Sequence, residues 1–151
     1  MSLAIHLRPA VKEDMERVHQ LITELAVYEK EPDAVTNTIE GLKEDGFGPN
    51  KVFDAIVAEV NDEVVGFALY YTKYSTWKGP CLYLEDFIVT ADMRGQGIGK
   101  KLFDKVYSIA KEKGAKRFEW QVLDWNEPAI NFYKKYDVVF EDDWRNAKIF
   151  L

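Results

Sequence analysis

Three glycines stand at alternate positions between an arginine and an amphipathic segment in the stretch MRGQGIGKKLF (93–103). Glycines at the start of a helix carry no side chains, so they leave backbone N–H groups open to an anion. The helix dipole favours negative charge at that end, and Arg94, Lys100 and Lys101 add cations. The stretch therefore predicts a pyrophosphate-binding loop, and a plain glycine-rich turn is the alternative.

Two carboxylates, Glu85 and Asp86, interrupt the otherwise apolar stretch CLYLEDFIVT (81–90), which is predicted to be a central strand. Neighbouring residues of a strand point to opposite faces of the sheet, so each face is expected to carry one carboxylate. A buried, unpaired carboxylate is costly, and each one therefore needs a cation, hydrogen-bond donors or water. The pair is a candidate for base catalysis and cation binding, with a structural salt bridge or cap as the alternative.

Histidine and cysteine are too scarce for several common kinds of catalytic site. The chain has two histidines, His6 and His19, and one cysteine, Cys81. The scarcity of these residues argues against a Ser-His-Asp or Cys-His catalytic arrangement. Neither HExxH nor CxxC is present to hold zinc. Catalysis is therefore expected to depend on carboxylates, tyrosines, backbone groups and what a cofactor brings, with no metal.

The composition is typical of one globular domain over residues 1–151. Hydrophobic residues make up 47% of the chain and charged residues 30%, and the net charge is −6 at pH 7. An acidic chain does not favour nucleic acid as a partner and is compatible with a cationic one. No apolar run approaches the roughly 18 residues of a membrane span, and no signal peptide opens the chain, so no membrane partner and a cytoplasmic location are expected.

The elements that must position the glycines and carboxylates alternate between helical and strand patterns. Strands are predicted at 4–10, 52–60, 63–74, 81–90, 117–125 and, as one or two strands, within 138–151; helices are predicted at 11–29, 36–45, 98–113 and 126–136. This order is that of a mixed α/β fold whose sheet is antiparallel early and crosses over late.

Arg94, Gly97 and Gly99 match the pattern [Q/R]-x-x-G-x-[G/A] between a strand and a long helix. The Walker and Rossmann phosphate loops fail on spacing, whereas this pattern resembles the acetyl-CoA pyrophosphate loop of the GNAT superfamily of N-acetyltransferases. The resemblance extends in order along the chain and is closest to the diamine (spermidine/spermine) acetyltransferase subfamily, through ELAVYEKEPDAV, EDGFG, VAEV, VGFALYY, LYLEDF, RGQGIGKKL, DWNEPAINFYKK and DDWR.

Within that subfamily, YSTWKG (74–79) and VLDWN (122–126) resemble the thialysine N-acetyltransferase branch most closely. The polyamine enzymes carry an aspartate where this chain has Ser75, which favours shorter or zwitterionic amines. The resemblance implies the GNAT fold, with a mixed sheet of six to seven strands, a bulged and splayed fourth strand and about four flanking helices. It also implies acetyl-CoA as cofactor and a homodimer.

The resemblance further implies which residues hold the cofactor. Backbone groups near 87–89 pair with the pantetheine arm, the glycine loop takes the pyrophosphate, and two asparagines bond the arm. The implied set is Phe87, Ile88, Val89, Arg94, Gly95, Gln96, Gly97, Ile98, Gly99, Lys100, Asn126, Asn131 and Tyr133. As alternatives, Asn126 is a plausible N-cap and Asn131 an exposed helix residue.

The implied reaction is direct transfer of acetyl from the thioester to a primary amine. Glu85 is expected to act as base through water, and Tyr133, whose ordinary pKa is roughly 10, as the acid that protonates the thiolate. The implied amine-binding residues are Glu85, Asp86, Trp77, Tyr28 and Glu29. A core tyrosine at 133 and an aromatic packed on a dimer partner at 77 are the alternatives.

Two other functions compete with acetylation of a small amine. The same chemistry could act on a lysine of a protein or peptide, although that requires an open groove. A non-catalytic acetyl-CoA-binding module would keep Arg94, Gly97 and Gly99 but would not need Tyr133 and Glu85.

Overall fold

The computed structural model describes residues 3–151, which form two compact units that divide after Gln121. The first unit contains nearly all the regular structure: β1 (Ile5–Pro9), α1 (Met15–Tyr28), α2 (Ile39–Phe47), β2 (Asp54–Val60), β3 (Glu63–Ser75), β4 (Gly79–Val89), α3 (Ile98–Glu112) and β5 (Phe118–Glu119). The second unit contains α4 (Glu127–Tyr133). The expectation of a single domain over 1–151 remains a prediction.

One mixed sheet has the strand order β1-β2-β3-β4-β5. The first four strands are antiparallel neighbours, and β5 is parallel to β4. The turn between β2 and β3 has positive φ at both Asn61 (53°) and Asp62 (64°), the backbone that a two-residue hairpin requires. The predicted mixed α/β class, with a sheet that is antiparallel early and has a parallel strand late, is confirmed.

Helices cover both faces of the sheet. Alternate residues of a strand face opposite sides, and Phe67 and Ile88 pack in one buried cluster with Val18 and Leu21 of α1. At the adjacent position, a Cβ added to Gly66 would lie 3.2 Å from Leu102 of α3. Thus α1 and α3 pack on opposite faces of β3 and β4.

The sheet has five strands in residues 3–151, which corrects the prediction of six to seven. The strand predicted over 117–125 is reduced to the two residues of β5, and no strand forms within 138–151. A strand exists only where a neighbouring strand satisfies its backbone, and hydrophobicity alone does not supply that neighbour. The apolar residues that favoured strands near the end, Val139, Ile149 and Phe150, are exposed. The expectation of about four helices is confirmed.

The helices of residues 3–151 are too short or too polar to cross a lipid bilayer.

Candidate active site

Strand β4 carries a bulge at the first of the two carboxylates. Tyr70 of β3 is opposite Leu84, whereas the preceding β3 residue, Leu69, is opposite Asp86, so no residue of β3 stands opposite Glu85 in the register. One extra residue in a strand is a β-bulge, which bends the strand and turns its side chains to new directions. The predicted bulge in the fourth strand is confirmed, and Glu85 is exposed at it.

The bulge lies in an acidic cluster that we define as Glu29, Glu85 and Asp86. Burial, followed by the negative charges of Glu85 and Glu29, raises the pKa of Asp86 to about 7. Burial also raises the pKa of Glu29, which follows directly after α1. The charges of Glu85 and Glu29 therefore oppose ionisation of Asp86, and the placement of Glu85 and Asp86 on opposite faces stays a prediction. A bound cation would relieve that repulsion.

Two tyrosines that the sequence reasoning missed stand beside this cluster. The hydroxyl of Tyr71 donates a hydrogen bond to Oε1 of Glu85 over 3.4 Å, and its ring centroid lies 5.3 Å from that of Tyr83. Burial and the charge of Glu85 raise the pKa of Tyr71, and burial followed by several neighbouring charges raises the pKa of Tyr83 to about 12. Both phenols are therefore protonated at neutral pH. The sequence did carry a sign of Tyr83, because residues two apart on a strand share a face and Tyr83 is two residues before Glu85.

Ser75 and Trp77, which the sequence analysis singled out, lie near the tip of the β3–β4 hairpin and have different surroundings. The hydroxyl of Ser75 accepts hydrogen bonds from the backbone N–H groups of Trp77 (3.2 Å) and Lys78 (3.1 Å). Ser75 thus stabilises the turn itself. Trp77 is 81% exposed, and the first unit taken alone does not enclose it in a channel.

The glycine loop connects β4 to α3 through a short 3₁₀ turn, Ala91–Met93. Gly95 (φ 77°) and Gly97 (φ 82°) adopt the left-handed backbone that glycine tolerates best. A Cβ at either position would have no atom within 4 Å, so the space outside the loop is open. A Cβ at Gly99 would lie 3.9 Å from both Phe87 and Val89, because α3 begins close against β4. The predicted placement of the loop between a strand and a long helix is confirmed.

Arg94 is held against α1 and β4. Its Nε donates to the carbonyl of Val89 (2.9 Å), its Nη2 lies 3.6 Å from Oε1 of Glu24, and its guanidinium carbon lies 5.3 Å from the ring centroid of Tyr28. Tyr28, which was expected on the amine side, therefore contacts the arginine of the glycine loop. Lys100 forms an ion pair with Asp104 over 2.5 Å on α3.

Strand β4 has different strand partners on its two sides beside the glycine loop. β3 pairs with residues 87–89 on one side, whereas β5 pairs only with Leu82 and Tyr83 on the other. The pairing of β5 with β4 thus ends after two residue pairs, as expected for a splayed fourth strand. The backbone of residues 87–89, which β5 does not pair, and the glycine loop fit the pantetheine arm and the pyrophosphate of acetyl-CoA, which need backbone partners and converging N–H groups respectively.

The second unit, residues 122–151, carries the other predicted residues. Tyr133 is the last residue of α4, is 5% exposed and has its ring centroid 5.5 Å from that of Phe132. Oδ1 of Asn126 accepts from the N–H of Ala129 over 3.4 Å, so Asn126 caps α4. Asn131 is exposed.

Three comparisons with known proteins agree. The model of the acetyltransferase (GNAT) family matches residues 15–137. Thialysine N-epsilon-acetyltransferase of Sus scrofa is 42% identical over 156 residues, covering 96% of this chain and 92% of that one, and spermidine/spermine N(1)-acetyltransferase-like protein 1 of Homo sapiens is 38% identical over 91% of this chain and 21% of that one. A crystal structure of an aminoglycoside acetyltransferase from an uncultured soil metagenomic sample, in complex with sisomicin, has a TM-score of 0.78 at 21% identity, covering 97% and 96% of the two chains.

Proposed function

Because the chain belongs to the acetyltransferase (GNAT) family and is an N-acetyltransferase, we propose that it acetylates a primary amine of a small diamine, a polyamine or a lysine-like acceptor such as thialysine. One observation carries this proposal: β4 leads from the acidic cluster directly into the glycine loop. Carboxylates suited to a cation and a loop suited to an anion thus follow one another along the chain. The acceptor ammonium and the acetyl-CoA phosphates have the matching charges.

The cofactor proposal assigns the pyrophosphate to the glycine loop and to Arg94, and the pantetheine arm to the backbone of residues 87–89 on the side of β4 that faces away from β3. Asn126 and Asn131 are proposed to bond the same arm. Acetyl-CoA, when bound, supplies the activated acetyl thioester. The protein's part is to hold that thioester in line with the amine, which removes most of the entropic cost of the encounter.

The acidic cluster is proposed to bind the acceptor ammonium and to take its proton. Glu85, exposed at the bulge, receives the proton through water, while Asp86 and Glu29 hold the cation. A pKa of about 7 also equips Asp86 to exchange protons near neutral pH, since a base is most effective when its pKa is close to the operating pH. Variants at both positions therefore decide which of Glu85 and Asp86 takes the proton and which binds the cation.

Tyr133 is proposed as the acid that protonates the leaving thiolate. A tyrosine, with an ordinary pKa of roughly 10, carries its proton at neutral pH, as an acid must. Tyr133 is the last residue of α4 and is buried, so its hydroxyl is largely shielded from bulk water.

The choice among acceptors is tested by thiol release from acetyl-CoA with thialysine, lysine, putrescine, spermidine and a lysine peptide. We expect thialysine to react faster than spermidine, because the relative that covers nearly the whole chain is a thialysine acetyltransferase and Ser75 adds no charge for a second ammonium. A preference for spermidine would contradict this choice, and a preference for the peptide would favour protein acetylation. Binding of CoA without turnover of any amine would favour a non-catalytic module.

The assembly is proposed to be a homodimer, in the cytoplasm, with no nucleic acid or membrane as partner. Support comes from apolar residues of the second unit that are exposed in one copy: Val139, Trp144, Ile149 and Phe150 are 70–89% exposed. Light scattering of the purified chain tests the dimer. A monomer at micromolar concentration would overturn it.

A further inference from the structure

Glu24 of α1 reaches the segment between β4 and the glycine loop and contacts three of its residues. Its Oε1 accepts a hydrogen bond from the backbone N–H of Ala91 over 2.8 Å. Its two carboxylate oxygens lie 3.0 and 3.3 Å from the donating hydroxyl of Thr90, and Oε1 lies 3.6 Å from Nη2 of Arg94. The Glu24 side chain is only 30% exposed, so these contacts are partly shielded from water.

The segment that Glu24 contacts has few backbone bonds of its own. The N–H of Thr90 donates to the carbonyl of Val65 (2.8 Å), and the 3₁₀ turn adds two bonds, Met93 to Thr90 (3.0 Å) and Arg94 to Ala91 (3.3 Å). The first N–H groups of a helical turn have no partner within it. The Ala91 N–H is such a group, and the Glu24 carboxylate satisfies it from another element.

Glu24 and Tyr28 are four residues apart on α1, so they lie on the same face one turn apart. The first places a carboxylate near the Arg94 guanidinium and the second places a ring under it. Since glycines follow at 95 and 97, the chain beyond Arg94 has little side-chain packing to fix its path. The start of the loop is therefore oriented from α1.

We propose that Glu24 is a positioning residue for the cofactor loop: it fixes Thr90 and Ala91 and orients Arg94 toward the pyrophosphate. The inference rests on the proposed role of the glycine loop. The Glu24 charge has a second, opposite effect, because a carboxylate near the loop repels phosphates. Glutamine separates the two effects, since its carbonyl still accepts the Ala91 and Thr90 hydrogen bonds while the charge is gone.

The test compares Glu24→Ala, Glu24→Gln and Thr90→Val with wild type and with Glu16→Ala, a control at an exposed glutamate of the same helix. CoA affinity is measured by calorimetry without acceptor, together with KM for acetyl-CoA, kcat and Tm. We expect Glu24→Ala to weaken CoA binding and raise KM about tenfold, with kcat at saturation within about twofold. Glu24→Gln and Glu16→Ala should stay within about threefold of wild type, and Thr90→Val should weaken binding about threefold.

CoA affinity that is unchanged in Glu24→Ala would overturn the proposal, as would tighter binding in both Glu24 variants, which would make charge repulsion the dominant effect. If Glu24→Ala does not fold, Thr90→Val decides, and unchanged CoA affinity in that variant counts against positioning. Failure of the proposed cofactor role of the glycine loop is a separate result, because wild type itself would then bind no CoA; absence of amine turnover in a wild type that binds CoA would leave this test unaffected.

Discussion

The guanidinium of Arg94 lies over the ring of Tyr28, with its central carbon 5.3 Å from the ring centroid. Glu29, which follows Tyr28 in the chain, contributes to the raised pKa of Asp86. The C-terminal end of α1 therefore contacts the glycine loop with one residue and acts electrostatically on the acidic cluster with the next. The proposed cofactor and acceptor sites share this one helix end.

Replacement of Tyr28 tests whether the ring supports Arg94. Tyr28→Leu should weaken CoA binding about two- to fivefold, because a cation–π contact at an exposed site stabilises by about 0.5–1 kcal/mol. Tyr28→Phe is the matched control, since it keeps the ring and should bind CoA as wild type does. Calorimetry with CoA measures both, and equal weakening in the two variants would show that the hydroxyl, rather than the ring, matters.

The rate of acetylation should fall as the pH drops below about 7, where Asp86 takes up a proton and ceases to attract the acceptor ammonium. Measured against pH, kcat/KM for the amine should lose this acid limb in Asp86→Asn, and its plateau should drop about tenfold or more, because one charged contact is lost. Glu85→Gln is the companion variant. If Glu85→Gln lowers kcat and Asp86→Asn raises mainly KM, then Glu85 is the base; the reverse pattern would assign proton transfer to Asp86.

The same carboxyl should make stability depend on pH. Its pKa is raised from 3.8 to about 7 on folding, so the folded protein binds the proton more tightly than the unfolded chain. The resulting stabilisation is complete below about pH 4 and is lost as the pH rises through 7, at a cost on the order of 4 kcal/mol. Thermal unfolding should therefore show Asp86→Asn more stable than wild type at pH 8, with no such advantage at pH 4. Equal Tm values for Asp86→Asn and wild type at pH 8 would refute the raised pKa of Asp86.

Alanine substitutions at Gly97 and Gly99 should affect stability differently although both weaken CoA binding. Gly97→Ala forces a side chain into a left-handed backbone and should lower the free energy of unfolding by about 1 kcal/mol. Gly99→Ala meets only ordinary contacts at 3.9 Å in the first turn of α3, so it should keep or slightly raise stability. Both should weaken CoA binding, since each adds a methyl group where phosphate is proposed to approach. A Gly99→Ala variant with normal CoA affinity would confine the phosphate site to residues 94–97.

Local patterns predicted the helices and the loop because their determinants are close in sequence. The apolar spacing of Ile98, Leu102 and Val106 predicted a helix over 98–113, and α3 spans Ile98–Glu112. The chain then turns at Gly114 with φ 69°, the left-handed conformation typical of a residue just past a helix end. Each of these features depends on residues within one or two turns of each other.

Features that depend on distant partners could not be predicted from one sequence. Glu24 gives no local sign of its role, because the residues it contacts are 66 and more positions away. The contact of Tyr71 with Glu85 depends on the register between two strands, which neither strand reveals by itself. The missing late strands have the same origin, since the sequence of 138–151 is compatible with a strand but no neighbour pairs with it in the described chain.

Tyr133→Phe tests the proposed acid and should leave cofactor binding nearly intact. The substitution removes only the hydroxyl of a side chain that is 5% exposed, so packing in its surroundings is retained. Loss of a general acid lowers kcat by about 10²- to 10⁴-fold, whereas the CoA affinity should change by less than about threefold. Tyr136→Phe is a control three residues away, because both rings contact Phe132, and its kcat should remain within about twofold of wild type. Fixed-time assays of thiol release with saturating amine and acetyl-CoA measure kcat, and Tm reports whether the variants fold equally well. Near-normal kcat in a stably folded Tyr133→Phe would remove Tyr133 from the mechanism and leave protonation of the thiolate to solvent, whereas a loss confined to kcat would identify its hydroxyl as the proton donor.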